Sequence, residues 1–324
     1  MKRVGIGICL ALVIVATANL FPGRAQETGP PVPQPGNPAA SNPLKVALLK
    51  WYKGNLTTSF TVGQQPYGVA FDGENIWTAN SGDDTVTKLQ AADGVALGTF
   101  KVGHLPNGVT FDGANMWVSN GDDNTVSELR ASDGKSLGTF GVGNSPFWMA
   151  FDGEDIWVAN SGDTTVTKLR ASDGKTLGTF ETGGAFAIAF DGTYIWVTTT
   201  ANDVVRLKRD GSSAGSFKVG AQPLGIAFDG ANIWVANQQD GTVSELRASD
   251  GETLGTFRVG DAPYGVAFDG TDIWVSLGAA LVELRCSDGK ILASFGAGPG
   301  STGVAFDGAN IWVAIGLGNS VLKF

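Results

Sequence analysis

Residues 71–80 read FDGENIWTAN, residues 111–120 read FDGANMWVSN and residues 151–160 read FDGEDIWVAN. The motif F-D-G-x-x-[IM]-W continues along the chain, with its Trp at 77, 117, 157, 196, 234, 274 and 312. The steps between them are 40, 40, 39, 38, 40 and 38 residues. A period near forty with turn signals inside each unit marks an array of like supersecondary units.

The turns divide one unit into four strands. GVAFDG is a short apolar strand, A, that ends at Asp72-Gly73. NIWTAN is strand B, TVTKLQ strand C, and ALGTFKVG strand D beyond a second Asp-Gly turn. Asp-Gly suits a tight hairpin because Gly tolerates positive φ and Asp bonds the turn backbone. A and B are apolar on both parities, which predicts burial on both faces, whereas C and D carry more polar residues and are expected further out. Four such antiparallel strands make a propeller blade. Strand D has its own landmark, the Phe of G-[TS]-F (A-S-F in one unit), at 100, 140, 180, 217, 257 and 295. That is six for seven Trp, because the last unit stops at NSVLKF, after strand C. LTTSFTVG at 56–63 supplies the missing strand and puts Phe60 in the slot. The N-terminal strand is thus expected to complete the last blade, closing the ring and removing free sheet edges. The fold class is all-β: a seven-bladed β-propeller of four-stranded blades. The seven Trp and fourteen Phe in repeating slots read as core between blades rather than as a cofactor box.

The chain has 324 residues, 47 of them Gly, with 16% charged and 10% aromatic. That is ample apolar material for a core. Lys2 and Arg3 followed by an apolar run to about Leu20 read as a bacterial secretory signal over 1–25, with cleavage after Ala18 or Ala25. Cys9 lies inside the apolar run rather than at its end, which argues against a lipoprotein. Residues 26–43, rich in Pro, Gly and Ser, read as a flexible linker. The propeller unit is placed at 44–324, with PLKVALLKWY as one or two helical turns ahead of the first strand. Cleavage at Ala25 removes Lys2, Arg3 and Arg24 and no acid, moving the net charge from -9 to -12. So acidic a chain is a poor partner for nucleic acid. Once the signal leaves, no run is long enough to span a membrane, and Cys286 remains as a lone cysteine in a slot otherwise filled by Ala131, Ala171 and Ala248.

The repeat [PG]-x-G-[VI]-A-F-D-G-x-N-I-W-V-A-N resembles the YVTN and NHL class of bacterial β-propellers. It is also similar to the repeats of streptogramin lyase of the virginiamycin B type, over about residues 56–324. The resemblance implies the propeller fold. It also implies a test, because the streptogramin lyases use more than one histidine, with a glutamate and Mg²⁺, for proton transfer in ring opening. This chain has a single histidine, His104, and no glutamate in its top loops.

In a propeller the A–B and C–D hairpins share one rim, and the D–A and B–C connections share the other, the top. The Asp-Gly pairs recur in every A–B hairpin and are read as turn residues. The top connections vary from blade to blade, so any site for one asymmetric ligand is expected there. The top-face candidates are the aromatics Tyr67, Phe147, Trp148, Phe186 and Tyr264, together with Asn80, Asn120, Asn160 and Asn237, which close strand B in four blades. Thr200, Leu277 and Ile315 break the Asn ring. The Asn side chains are read first as caps of their own B–C turns. Asp83, Asp84, Asp122, Asp123, Asp163 and Asp240 lie on the same rim. Hard oxygen donors suit Ca²⁺, but no calcium-loop spacing accompanies them and they read as solvated loop acids. His104 reads as an exposed loop residue, and nothing marks a nucleophilic triad around it.

The expected function is that of an exported, periplasmic or extracellular, non-catalytic scaffold. It would present variable top loops to a protein, peptide or glycan, as a monomer, with no catalytic residue, metal or cofactor. The alternative is a streptogramin-lyase-like or lactonase-like enzyme with a divalent metal, Ca²⁺ or Mg²⁺, in the central channel.

Overall fold

A computed structural model describes residues 58–324. The signal, the linker and the helical turns before the first strand lie outside the described residues. Seven four-stranded antiparallel sheets follow one another, each in the order A-B-C-D. In blade one the strands are Pro66–Phe71, Asn75–Asn80, Thr85–Gln90 and Ala96–Lys101. In blade seven strands A to C are Ser301–Phe306, Ile311–Ile315 and Ser320–Lys323, and strand D is Thr58–Thr61. Phe60 pairs with Val321 in that sheet, so the ring closes by joining the two ends of the propeller in one blade. Among the described residues the one helical element is a 3₁₀ turn, Gly316–Gly318, and no helix is long and apolar enough to cross a membrane.

The repeat motif is a hydrogen-bonding unit. In every blade the Asp of the A–B turn accepts the indole N–H of the Trp five residues on, at 2.7–2.9 Å. In blade one its other oxygen takes the backbone N–H groups of Glu74 and Asn75. Phe of strand D then lies over that Trp, with ring centroids 5.4–5.8 Å apart in all seven blades. The same Phe seats on the next blade's C–D turn. A Cβ on Gly94 would lie 2.0 Å from the Phe60 ring, and Gly94 has φ +75°. Glycine is thus required at that turn twice over, by conformation and by space. Blade seven ends at Phe324 and has no such turn, so Phe295 packs on Phe324 instead, at 5.7 Å.

The burial gradient differs from the one the strand patterns predict. Strand B is buried as expected, but strand C is nearly as buried despite its polar residues: Thr87, Lys88, Glu128 and Glu245 are all under 9% exposed. Strand A is half-buried at several positions. Blades stack face to face, so B and C are sandwiched by neighbours, while A opens onto the axis. Cys286 packs in the Ala slot, and burial first, then nearby carboxylates, push its thiol up to about 12. It is protonated and inert at neutral pH.

Two outcomes follow from these contacts. Phe60→Ala should cost about 3–5 kcal/mol in chemical denaturation, like Phe100→Ala in an ordinary blade; an effect under about 0.5 kcal/mol would mean the terminal strand does not close the ring. Asp152 provides the second. Burial raises its pKa, but Arg209, the Trp157 indole and the amides of Asp155 and Glu154 outweigh that and hold it at about 2. Its contribution is complete above the usual value of 3.8 and is lost as the pH falls toward 2. Asp152→Asn should therefore lose on the order of 2 kcal/mol at neutral pH and show a flatter melting temperature between pH 4 and 2.

Candidate functional site

Strands A surround the axis, and their first residues after the D–A connection form its upper collar. The second residue of each strand A, or its equivalent, is Tyr67, Asn107, Phe147, Phe186, Leu224, Tyr264 and Thr302. Its carbonyl is held by an adjacent blade. Tyr264 O accepts the Gly225 N–H at 2.9 Å, Phe186 O the Trp148 N–H at 3.3 Å, Leu224 O the Thr198 hydroxyl at 3.0 Å and Tyr67 O the Thr302 hydroxyl at 3.0 Å. This approach leaves no room for a side chain at the next position, which is glycine in five blades. A Cβ on Gly68, Gly108, Gly225, Gly265 or Gly303 would fall 2.2–2.5 Å from a neighbouring carbonyl oxygen. Blade four has Ala187 there, and blade three has Trp148.

The five aromatics singled out in the sequence converge. Tyr67 meets Phe147 at 5.4 Å, Trp148 at 6.1 Å and Tyr264 at 5.6 Å, while Phe147 meets Trp148 at 5.7 Å and Phe186 at 6.3 Å. Blade one touches neither blade three nor blade six as a ring neighbour, so these contacts run across the axis. The Tyr67 and Tyr264 hydroxyls are hydrogen-bonded to each other. Burial pushes the Tyr67 phenol far above its ordinary value, so it stays a neutral donor. Below the aromatics the channel widens into a cavity of about 160 Å³. Each blade contributes one aliphatic residue to its lining: Val69, Val109, Met149, Ile188, Ile226, Val266 and Val304. Trp148, Ala187, Gly225, Gly265 and Gly303 complete the lining, which carries no ionisable side chain.

The asparagines and aspartates of the rim have a different role. Asn80, Asn120, Asn160 and Asn237 are fully buried. Each amide N–H₂ donates to two hydroxyls of its own strand C, Thr85 and Thr87 in the case of Asn80. These bonds tie strand B to strand C rather than cap a turn. Thr199, not Thr200, occupies their slot in blade four, where its buried hydroxyl bonds Asp203. The carbonyl of Asn120 accepts the Gly103 N–H at 3.1 Å, Asp123 the His104 N–H at 2.7 Å, and Asp84 of the preceding blade the Leu105 N–H at 3.1 Å. Three consecutive N–H groups of one D–A connection are thus clasped by side chains from two blades. Asp83, Asp163 and Asp240 hold the equivalent N–H groups of Gln64, Asn144 and Ala221. Asn124, Asn202 and Asn319 act as Asp84 does. Five of the six loop acids, Asp83, Asp84, Asp123, Asp163 and Asp240, are therefore clasp acceptors rather than free carboxylates. Sequence reading missed the clasp because its partners lie 17–21 residues apart; the recurring Asn-x-x-Asp string was its one visible signal.

His104 is 70% exposed, with its Nδ1 2.8 Å from Asp123 and its Nε2 3.8 Å from Asp84. The hydrogen bond to Asp123, then the nearby negative charges, raise its pKa. It sits on the rim, not among the channel residues. Among the described residues no three His, Cys, Asp or Glu side chains group in a way that would hold a metal ion.

No protein-family model matches this chain, and no curated protein matches it in sequence. Solved structures do match in fold. A streptogramin B lyase structure aligns with a TM-score of 0.71 at 16% identity, covering 82% of this chain and 96% of that one. The Kuenenia stuttgartiensis hydrazine synthase aligns with a TM-score of 0.71 at 18% identity over 82% and 96%. Virginiamycin B lyase from Staphylococcus aureus aligns with a TM-score of 0.70 at 18% identity over 82% and 98%. At such identities the likeness is one of fold: a seven-bladed propeller.

The clasp gives a direct test. Asn120→Ala orphans the Gly103 N–H and should destabilise by about 1–3 kcal/mol in urea unfolding. A variant of unchanged stability that instead lost a binding activity would return Asn120 to the ligand.

Proposed function

We propose that the protein is an exported binding propeller without chemistry of its own, acting in the periplasm or outside the cell. Its top face takes a protein, peptide or glycan partner, and the aromatic mouth of the channel is the anchor. The observation that carries this reading is the meeting of five aromatic side chains from four blades over the axis. Tyr and Trp supply large contact area at low entropic cost and dominate binding energy at interfaces. The identical slots of the repeat are occupied by turns, core and clasps, which leaves the axis as the place where the blades differ. Export rests on the N-terminal signal pattern.

The enzyme alternative draws on the fold shared with the streptogramin B and virginiamycin B lyases. Against it stand the aliphatic wall of the channel, the clasped state of the rim carboxylates and a single histidine on the rim. General acid–base chemistry needs an ionisable group within reach of the reacting atom.

The test is capture on peptide and glycan arrays by the exported protein, beside Tyr67→Ala and Trp148→Gly variants. A bound class should be lost at least about tenfold in both variants, with stability unchanged in Trp148→Gly. Capture indifferent to both substitutions, or a lactone consumed only when Mg²⁺ is added, would overturn the reading.

A further inference from the structure

We propose that the cavity beneath Trp148 is a binding site in its own right, for a neutral aromatic or heteroaromatic ring. The inference does not depend on the identity of the partner at the rim. Size is the first argument: about 160 Å³ is close to the roughly 150 Å³ apolar cavity that takes up benzene or xenon in a well-studied engineered case. Chemistry is the second. An aliphatic residue lines it from every blade, peptide groups make up rather more of the exposed lining than carbon, and no carboxylate, ammonium, guanidinium or imidazole is among the lining residues. A charged ligand would lose its hydration there without a counter-charge, a loss that is prohibitive for an ion and small for a neutral ring. The peptide edges at Gly225, Gly265 and Gly303 stand among these groups on blades five to seven. Such a lining favours a ring bearing an N–H or C=O over a plain hydrocarbon.

Trp148 is the third argument. It occupies the slot where five blades have glycine because a Cβ would strike a neighbouring carbonyl. Nothing in the closure of a propeller asks for an indole at this position. Its neighbour across the collar, strand A of blade four, is shortened to Ile188–Phe190. Trp148 contacts Tyr67 and Phe147 above and lines the cavity below. It therefore joins mouth to cavity and sets the depth of the site.

The experiment uses the full chain and four small aromatic probes, two neutral and two charged: benzene, indole, benzoate and benzylamine. Ligands that bind only the folded state raise the melting temperature saturably. Indole should do so most, benzene less, and the two ions not at all, with indole also shifting Trp148 emission. Val304→Phe and Val109→Phe, which add bulk to the lining on blades seven and two, should abolish the response. No shift with either neutral probe, an equal shift with the ions, or an undiminished shift in the filled variants would overturn the proposal. Should both filled variants fail to fold, crystals of the unaltered protein under xenon decide the matter: xenon bound between Trp148 and Val304 supports the site, and its absence there refutes it. Partner capture at the rim with no probe response would sink this inference and leave the rim reading intact.

Discussion

Each blade hangs on one hydrogen bond, from the Trp indole N–H to the Asp that turns strand A into strand B. Six of the seven Trp are fully buried and the seventh, Trp274, is 9% exposed, so an unpaired indole N–H would cost stability in every blade. Asp supplies the acceptor from the turn it already shapes, and the five-residue spacing of the motif is the reach of that bond. With the indole fixed, its face is set for the D-strand Phe, and the Phe is set for the glycine of the next turn. The chain of contacts runs indole, phenyl, glycine, next blade, and returns to its start only because Phe60 arrives from the N-terminal side.

The other side of the Trp shows how much freedom that anchor leaves. The facing slot of strand C is Lys88, Lys168, Arg206 or Lys323 in four blades, each 5.0–5.3 Å from the Trp ring. Their cationic heads reach carbonyls of the following blade at 2.7–3.1 Å, on Ala131, Arg209, Ala248 and Ala91. In blades two and five the slot holds Glu128 and Glu245, which accept amide N–H groups from Asn115 and Asn232 of their own blade. Burial, then the nearby turn Asp, raises both glutamates above the ordinary carboxylate range. One slot thus accepts opposite charges, joining blades in one case and bracing a single blade in the other.

This explains which features were legible in the sequence. The blade count and the closing strand were, because Phe60 and the seven Trp obey a period that only a closed ring uses fully. The burial of strand C was not, because Thr87, Lys88 and Glu128 advertise solvent while their actual neighbours are the backbone and side chains of adjacent strands and blades. The aromatics could be named but not assembled, since Tyr67 and Tyr264 are 197 residues apart and meet only across an axis that no local pattern encodes. Asn80 and its repeats misled for the opposite reason. A polar residue recurring on the variable rim resembles a site, whereas what recurs in all four blades is its pair of bonds to strand C hydroxyls, joined in Asn120 and Asn237 by a bond from a connection N–H.

Closure by repetition also dictates where individuality can reside. Connections into blades one, two, three and five are clasped by rim carboxyl and amide groups. Blades four and six have the three-residue A strands, Ile188–Phe190 and Val266–Phe268, and their connections lack the paired clasp. Phe186 and Tyr264 rise from these two less restrained connections, whereas Tyr67, Phe147 and Trp148 rise from clasped ones. Segments with fewer hydrogen bonds open at lower free energy than their surroundings. The mouth of the channel therefore joins aromatics from two kinds of connection, clasped ones that carry Tyr67, Phe147 and Trp148 and unclasped ones that carry Phe186 and Tyr264, and the bond between the Tyr67 and Tyr264 hydroxyls ties the one kind to the other.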